Sequence, residues 1–244
     1  MPSNRRAFLA ATTAAFTTTP AVSAAAAPHR DADPGPPPRP LPHPPPLPHP
    51  HPHPHPTTAR EALAALLAGN RRYAAGHPRH PHEGRTRRHV LAAEQHPFAV
   101  VVGCVDSRVP PELVFDQGLG DLLCIRTAGQ VLDEAVLGSI QYGVEVLHIP
   151  LVLVLGHERC GAVAATLAYL RDGTPVPGHL RLLVDEIAPA AWRTRAMPGD
   201  WAEHTVRAHA AWVRDAIRAD PAFSSATVAA ARFDLDTGRV GLLP

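Results

Sequence analysis

The chain has 244 residues, a formal net charge of +1, 18% charged residues and 45% hydrophobic residues. Its net charge is small and its one basic run, residues 85–88, is short. The composition therefore excludes a protein that binds along the phosphate backbone of a nucleic acid. The three cysteines are an odd number, and disulfides therefore cannot account for all of them.

The first 27 residues are typical of a twin-arginine export signal. Arg5 and Arg6 precede a mildly apolar stretch that runs to about Thr19, and small residues follow. We therefore predict a removable signal over residues 1–27 and an exported protein. The apolar stretch is too short and too rich in threonine to span a bilayer, so we expect no stable membrane insertion.

Residues 28–56 form a second distinct segment, in which proline is so frequent that neither a helix nor a strand ladder can form. Histidine alternates with proline near its end, which predicts an extended, disordered linker of polyproline type. An arm that gathers zinc through these imidazoles is the alternative interpretation. The folded domain is expected over residues 57–244.

The remaining segments alternate between helical and strand patterns. Apolar residues at helical spacing predict helices over about residues 58–76, 84–95, 133–148, 160–171, 180–187 and 201–217. Short unbroken apolar runs predict buried parallel strands over residues 98–102, 122–125 and 151–155, and a last strand over 227–233 precedes a turn. The predicted fold class is α/β, with a mainly parallel central β-sheet of about four strands plus an edge strand, flanked by helices.

Three metal-binding side chains follow these strands. Cys104 comes just after the first apolar run and His157 just after the third, so both are expected at the carboxyl ends of neighbouring parallel strands. Cys160 follows one turn later, at the start of a helix whose dipole favours a thiolate. This donor set predicts a zinc site with one open position, and Cys124 is interpreted as a core residue.

Asp106 and Arg108 stand directly beside the first of these ligands. Bound zinc lowers the pKa of its water to about 7, so hydroxide becomes available as a nucleophile near neutral pH. Asp106 can accept the hydrogen of that hydroxide, and Arg108 can keep Asp106 ionised and away from the metal. A purely structural ion pair is the alternative for these two residues.

The motif Cys104-x-Asp106-Ser107-Arg108, followed some fifty residues later by Gly-His157-x-x-Cys160-Gly, resembles the paired signature of β-carbonic anhydrases. The resemblance covers about residues 66–189. It implies reversible hydration of carbon dioxide to bicarbonate and a proton by zinc-bound hydroxide, with one Zn²⁺ per subunit. It also implies a homodimer or homotetramer.

The same resemblance implies a substrate pocket. Its members match family positions that bind substrate or line the pocket, and they are Gln95, Tyr142, Gly161, Leu123 and Ala128. In the family, Gln95 and Tyr142 would be contributed across a subunit interface. Arg126 matches an arginine of a regulatory bicarbonate pocket, whereas Val101 replaces that pocket's tryptophan, so we expect no cooperative inhibition by bicarbonate.

Two other functions remain open from the sequence. The first keeps the same zinc site and changes the substrate to carbonyl sulfide or carbon disulfide, because the ligands do not distinguish these molecules. The second is an exported zinc-binding or storage protein, in which the histidine–proline segment is the working part. Storage has no need for Asp106 and Arg108, which favours the enzyme.

Overall fold

The computed structural model describes residues 55–244. The predicted signal and nearly all of the predicted linker lie outside these described residues, so both stay predictions. Within the part of the chain that is described, no helix is both long and apolar enough to cross a membrane.

A five-stranded sheet forms the centre of the domain, in the order β2-β1-β3-β4-β5. The first four strands in that order run parallel, and β5 runs antiparallel to β4 at one edge. The strands are β1 (Ala99–Cys104), β2 (Leu122–Thr127), β3 (Leu151–His157), β4 (Thr227–Phe233) and β5 (Val240–Leu242). This sheet confirms the predicted α/β fold class of about four strands plus an edge strand, and the structure adds that the edge strand is antiparallel.

The two central strands explain why their sequences are continuous apolar runs. Every residue of β1 and β3 is buried, because helices cover both faces of the sheet. Alternate side chains enter two separate cores: Val100, Val102, Val152 and Val154 on one face, and Val101, Leu151, Leu153 and Leu155 on the other. β2 lies at the opposite edge from β5, and all six of its residues are only half-buried.

Seven α-helices are found among the described residues: α1 (Ala59–Ala74), α2 (Arg85–Leu91), α3 (Pro111–Val114), α4 (Glu134–Gln141), α5 (Gly161–Asp172), α6 (Leu180–Thr194) and α7 (Trp201–Ala219). The first begins as the sequence predicts. The Thr58 hydroxyl accepts a hydrogen bond from the Glu61 amide at 3.2 Å, and the Glu61 carboxylate accepts one from the Thr58 amide at 3.1 Å. These reciprocal bonds form a capping box that fixes the start of α1.

Two predicted helices are shorter than expected. α2 ends at Leu91 rather than near Gln95, because Ala92 and Ala93 are exposed and pack against nothing that would extend the helix, and Pro97 disfavours helical backbone before it. The helix expected over residues 133–148 is regular only as α4 and widens into a π turn at Tyr142–Val146.

Gly143 accounts for this widening, because it lies very close to the sheet. A Cβ atom there would stand 2.8 Å from side-chain atoms of both Leu123 and Val100. The backbone can approach so closely only without a side chain.

One helix is longer than predicted. α6 continues past Ile187 to Thr194 even though Pro189 lies inside it. Its buried face continues through Ala190, Ala191 and Thr194, and this packing outweighs the backbone hydrogen bond that proline removes.

Candidate metal centre

Three side chains that can bind a metal meet at the carboxyl end of the sheet. Cys104 is the last residue of β1, His157 is the last residue of β3, and these strands are parallel neighbours. Cys160 immediately precedes α5 as its N-cap residue. The sulfur and ring-nitrogen atoms of the three residues all lie within 4.8 Å of one another, and all three residues are buried.

The imidazole of His157 is oriented by its own neighbour. Its Nδ1 lies 2.9 Å from the Glu158 carbonyl oxygen, and since a carbonyl only accepts, Nδ1 carries the proton. Nε2 therefore carries the lone pair. This atom is buried and has no hydrogen-bond partner among the described residues. A buried nitrogen acceptor without a donor, facing two thiols, fits a metal ion with a preference for nitrogen and sulfur ligands.

The two thiols are electrostatically coupled. The pKa of Cys104 lies far below its usual value, chiefly because the Cys160 thiol donates a hydrogen bond to it, and the pKa of Cys160 rises correspondingly. The Gly129 amide is a second donor to Cys104, 3.3 Å from its sulfur. One proton shared between two buried sulfurs is the state expected before a divalent cation allows both to ionise.

Asp106 and Arg108 form a bidentate ion pair beside this cluster. The Arg108 side chain donates from Nε to Oδ1 at 2.9 Å and from Nη2 to Oδ2 at 2.7 Å, and its backbone amide also donates to Oδ1 at 2.9 Å. The Arg108 guanidinium holds the pKa of Asp106 well below its usual range. Asp106 Oδ2 lies 3.9 Å from His157 Nε2, so an ionised carboxylate stands at the edge of the ligand cluster.

Arg126 has a positioning contact that the sequence analysis did not predict. From the end of β2, it donates to the Cys104 carbonyl at 2.8 Å and to the Asp106 carbonyl at 2.7 Å. These two bonds hold the backbone on both sides of Val105. The strand register pairs Gly103 with Arg126, and this pairing is the signal that could have suggested the contact.

His209 is a second residue that the sequence analysis did not place near the candidate ligands. It lies on α7, is 1% exposed, and its Nε2 donates to the Gly129 carbonyl at 2.9 Å. Gly129 is the residue whose amide faces Cys104. Eighty positions separate His209 from Gly129, and no local pattern reveals such a contact.

The predicted pocket residues fall into two groups. Gly161 is exposed at the start of α5 next to Cys160, and Ala128 directly precedes Gly129, so both adjoin the ligand cluster. Within one chain the other three lie elsewhere. They are Leu123, Tyr142 and Gln95.

Strand positions show how far away these three residues are. Leu123 and the π turn that contains Tyr142 pack at the level of Val100, four residues before the end of β1, which is about 13 Å along a strand. Gln95 precedes the other end of β1. Both Gln95 and Tyr142 are exposed.

Cys124 does not take part in the cluster. It packs against the core on the opposite face of β2, and burial raises the pKa of its thiol. The fourth position beside the three candidate ligands therefore has no cysteine available from within the described residues.

Comparison with solved structures identifies the fold class. The domain resembles a tetrameric β-carbonic anhydrase of Sordaria macrospora, with a TM-score of 0.60 and 20% identity, over 74% of this chain and 96% of that one. It also resembles a β-carbonic anhydrase from Coccomyxa, with a TM-score of 0.59 and 23% identity, over 74% and 86% of the two chains. The fold is thus that of the β-carbonic anhydrases.

Sequence comparison then gives the family. The profile of the family described as carbonic anhydrase matches residues 99–240, which is more than half of the chain, and the protein belongs to this family. Carbonic anhydrase 2 of Mycobacterium tuberculosis is 54% identical over 129 residues, covering 53% of this chain and 62% of the relative. The carbonic anhydrase of Mycolicibacterium smegmatis is also 54% identical over 129 residues, covering 53% and 63%. The match thus spans slightly under two thirds of the length of these curated relatives.

Proposed function

We propose that this protein is a zinc-dependent carbonic anhydrase that reversibly hydrates carbon dioxide to bicarbonate and a proton. The observation that carries the proposal is the meeting of Cys104, His157 and Cys160 beside an Asp106 that Arg108 holds in place. The two thiols and the free Nε2 of His157 would hold one Zn²⁺. When bound there, zinc supplies Lewis acidity that makes water available as hydroxide near neutral pH.

Asp106 would orient the reacting oxygen. Its pKa lies far below neutrality, so the carboxylate only accepts hydrogen bonds at physiological pH. Accepting the hydrogen of the nucleophile at Oδ2 turns the remaining lone pair toward carbon dioxide. Arg108 restrains both carboxylate oxygens and thereby keeps Asp106 from becoming a metal ligand itself.

Gly161 and Ala128 would border the position of the substrate. Gly161 is exposed at the first turn of α5, where its amide and the positive end of the helix dipole favour a developing anion. Ala128 would offer a small apolar side chain next to Gly129, whose amide donates to Cys104. One backbone amide and one small apolar side chain would be sufficient to border a small, nearly apolar substrate.

A second copy of the chain would complete the pocket. Gln95, Tyr142 and Leu123 do not lie at the ligand cluster of their own chain, and β2 forms a half-buried sheet edge next to the exposed Tyr142. An uncovered strand edge with apolar neighbours favours pairing with another subunit. We therefore propose a homodimer or a larger homo-oligomer.

Export through the twin-arginine route stays a proposal from residues 1–27. This proposal is tested by expressing the chain with residues 1–27 in place and measuring the mass of the exported protein. Replacing Arg5 and Arg6 together by lysine should leave the uncleaved chain inside the cell. Cleavage and export that continue unchanged would remove the twin-arginine assignment.

The function is tested on the purified full chain by measuring zinc content and carbon dioxide hydration together, with sulfide release from carbonyl sulfide as the comparison. Asp106→Asn should retain zinc and lose hydration. Asp185→Asn is the matched control, because Asp185 also pairs with an arginine, Arg181 at 2.8 Å, but on the exposed face of α6.

Three outcomes would count against the proposal. Faster turnover of carbonyl sulfide than of carbon dioxide would show that carbonyl sulfide is the substrate. Zinc uptake that depends on residues 28–56, without hydration, would indicate storage. Full hydration by Asp106→Asn would remove Asp106 from the mechanism.

A further inference from the structure

The turn that follows β2 is held in a costly conformation next to Cys104. Gly129 has φ +71° and Gln130 has φ +47°, so two successive residues adopt left-handed backbone, and the second is not glycine. The side-chain oxygen of Gln130 is also buried without a hydrogen-bond partner among the described residues. Such a turn persists only where its surroundings restrain it.

Three helices restrain this turn. A Cβ atom on Gly129 would stand 2.9 Å from Ile187 Cδ1 on α6 and 3.0 Å from Ala162 Cβ on α5, so the turn is packed tightly on two sides. On α7, His209 provides a directional restraint, because its Nε2 donates to the Gly129 carbonyl at 2.9 Å. The Thr127 hydroxyl closes the turn by donating to the Val131 carbonyl at 2.8 Å.

The two polar groups of Gly129 connect His209 to the metal ligand. The carbonyl accepts from His209, and the amide donates to the Cys104 sulfur at 3.3 Å. A hydrogen bond to a metal-bound thiolate stabilises its charge and fixes its direction, and loss of such outer contacts weakens metal binding. The position of the amide proton therefore depends on the orientation of the turn that His209 holds.

We propose that His209 is a positioning residue of the metal centre, which fixes the Gly129 turn so that its amide donates to the Cys104 thiolate. This role rests on the proposed zinc site and deepens it. His209 touches neither substrate nor metal.

The protonation state of His209 suits this role. Burial lowers its pKa to about 4, so the ring is neutral at physiological pH and a single N–H is available. Because the contact is to a carbonyl oxygen, that proton resides on Nε2. The other ring nitrogen, Nδ1, is buried and finds no partner within the described residues, a cost that the Gly129 contact helps to offset.

Two substitutions separate this role from simple packing. His209→Leu removes the donor and keeps an apolar side chain of useful size, whereas His209→Gln keeps an amide donor at a similar reach. Val213→Ala is the matched control, since Val213 is buried one turn further along the same face of α7 but packs in a different core cluster from Ile187 and Ala162, which contact the turn. All three are made in the full chain.

The first measurement is the dissociation constant for Zn²⁺, obtained by competition with a chelator. His209→Leu should weaken it roughly 10–100-fold, and His209→Gln and Val213→Ala should stay near wild type. The second measurement is hydrogen exchange of the Gly129 amide in the metal-free protein. His209→Leu should accelerate this exchange relative to the global unfolding rate, and the other two variants should not.

The outcomes are distinguishable from failure of the proposed function. If the unmodified chain bound no zinc, the proposed zinc site would be wrong. Hydrogen exchange of the Gly129 amide would still report on the His209 contact in that case. Wild-type zinc affinity and wild-type Gly129 protection in His209→Leu would overturn the inference. Equal losses in His209→Leu, His209→Gln and Val213→Ala would overturn it too, because packing alone would explain them.

Discussion

At the scale of single residues, the candidate site depends on how each polar group is held by the next one. Glu158 orients the ring of His157, Arg108 orients Asp106, and Arg126 fixes the backbone that carries Asp106. None of these contacts adds a ligand. In the proposed zinc site they would determine which lone pairs face the open position, and this would determine what the site can do chemically.

Arg108→Lys tests the geometry of the Asp106 contact rather than its charge. A lysine ammonium cannot donate in parallel to both carboxylate oxygens, so Asp106 gains freedom to turn toward the metal position. We expect zinc content to stay unchanged and the hydration rate to fall on the order of 10²-fold. Stopped-flow hydration with zinc analysis measures both quantities.

The control for that substitution is Arg181→Lys, which alters the exposed pair between Arg181 and Asp185 on α6. It should leave hydration unchanged. Arg108→Lys that is as active as wild type would show that charge alone suffices.

His209 should also make stability depend on pH. Its pKa is about 4 in the folded chain against 6.5 for an unburied histidine, so the unfolded state binds the proton more readily between these values. The contribution is fully present above pH 6.5, decreases as pH falls, and is lost by about pH 4, a change of about 3 kcal/mol. Denaturant unfolding of the metal-free wild type and His209→Gln across this range should show a steeper loss in wild type. Parallel pH dependences would contradict the assignment.

At the scale of elements, close approach between backbones decides where helices sit. The capping box begins α1, but Gly69 allows the helix to dock, because a Cβ atom there would stand only 1.7 Å from the Phe115 carbonyl oxygen. Asn70 then bonds the Val114 and Gly238 carbonyls at 3.1 and 2.9 Å. The helix thereby joins the segment after the first candidate ligand to the turn before β5.

Gly69→Ala should therefore destabilise the domain despite the higher helix propensity of alanine. We expect a loss of about 1–3 kcal/mol in the free energy of unfolding, since the backbone at Phe115 cannot move aside without cost. Gly138→Ala is the matched control on α4, where a Cβ atom meets nothing within 4 Å. It should stabilise by roughly 0.5–1 kcal/mol. Thermal and denaturant unfolding measure both changes, and a neutral Gly69→Ala would show that α1 is not docked this way.

At the scale of the whole molecule, the proposed substrate pocket would need two copies of the chain. The ligands and Asp106 come from one chain, whereas Gln95, Leu123 and Tyr142 lie away from them. Tyr142 is 47% exposed beside the half-buried edge strand β2. Assembly and activity are therefore expected to depend on each other.

Tyr142→Arg tests this dependence. A charged side chain at this edge should shift the protein toward monomer and lower hydration, while circular dichroism stays unchanged, because a buried unpaired charge opposes association. Leu182→Arg is the control, since Leu182 is equally exposed at 47% but lies on α6. Sedimentation equilibrium measures the mass. Wild-type mass for Tyr142→Arg, or a monomeric wild type, would contradict the proposed interface.

Most of the fold followed from the sequence because its elements carry local signals. The apolar runs of β1 and β3 indicate burial on both faces, and the Thr58 cap marks a helix start without reference to anything distant. The predicted helix boundaries were wrong where tertiary packing outweighed the local backbone preference of the sequence. The widening after α4 depends on contact between Gly143 and the sheet, and the extension of α6 through Pro189 depends on its packed face.

The sequence by itself determined the α/β class, the three candidate ligands and the adjacent Asp106 and Arg108, because residue type, spacing and strand ends carry that information. The tertiary structure alone decided the two hydrogen bonds from Arg126 to the Cys104 and Asp106 carbonyls, and the contact between His209 and Gly129. Both depend on groups that only folding brings together, across a strand register in one case and eighty residues of chain in the other. Hydrogen-bond direction at a buried site is a property of such distant neighbours, and no local pattern in the chain encodes it.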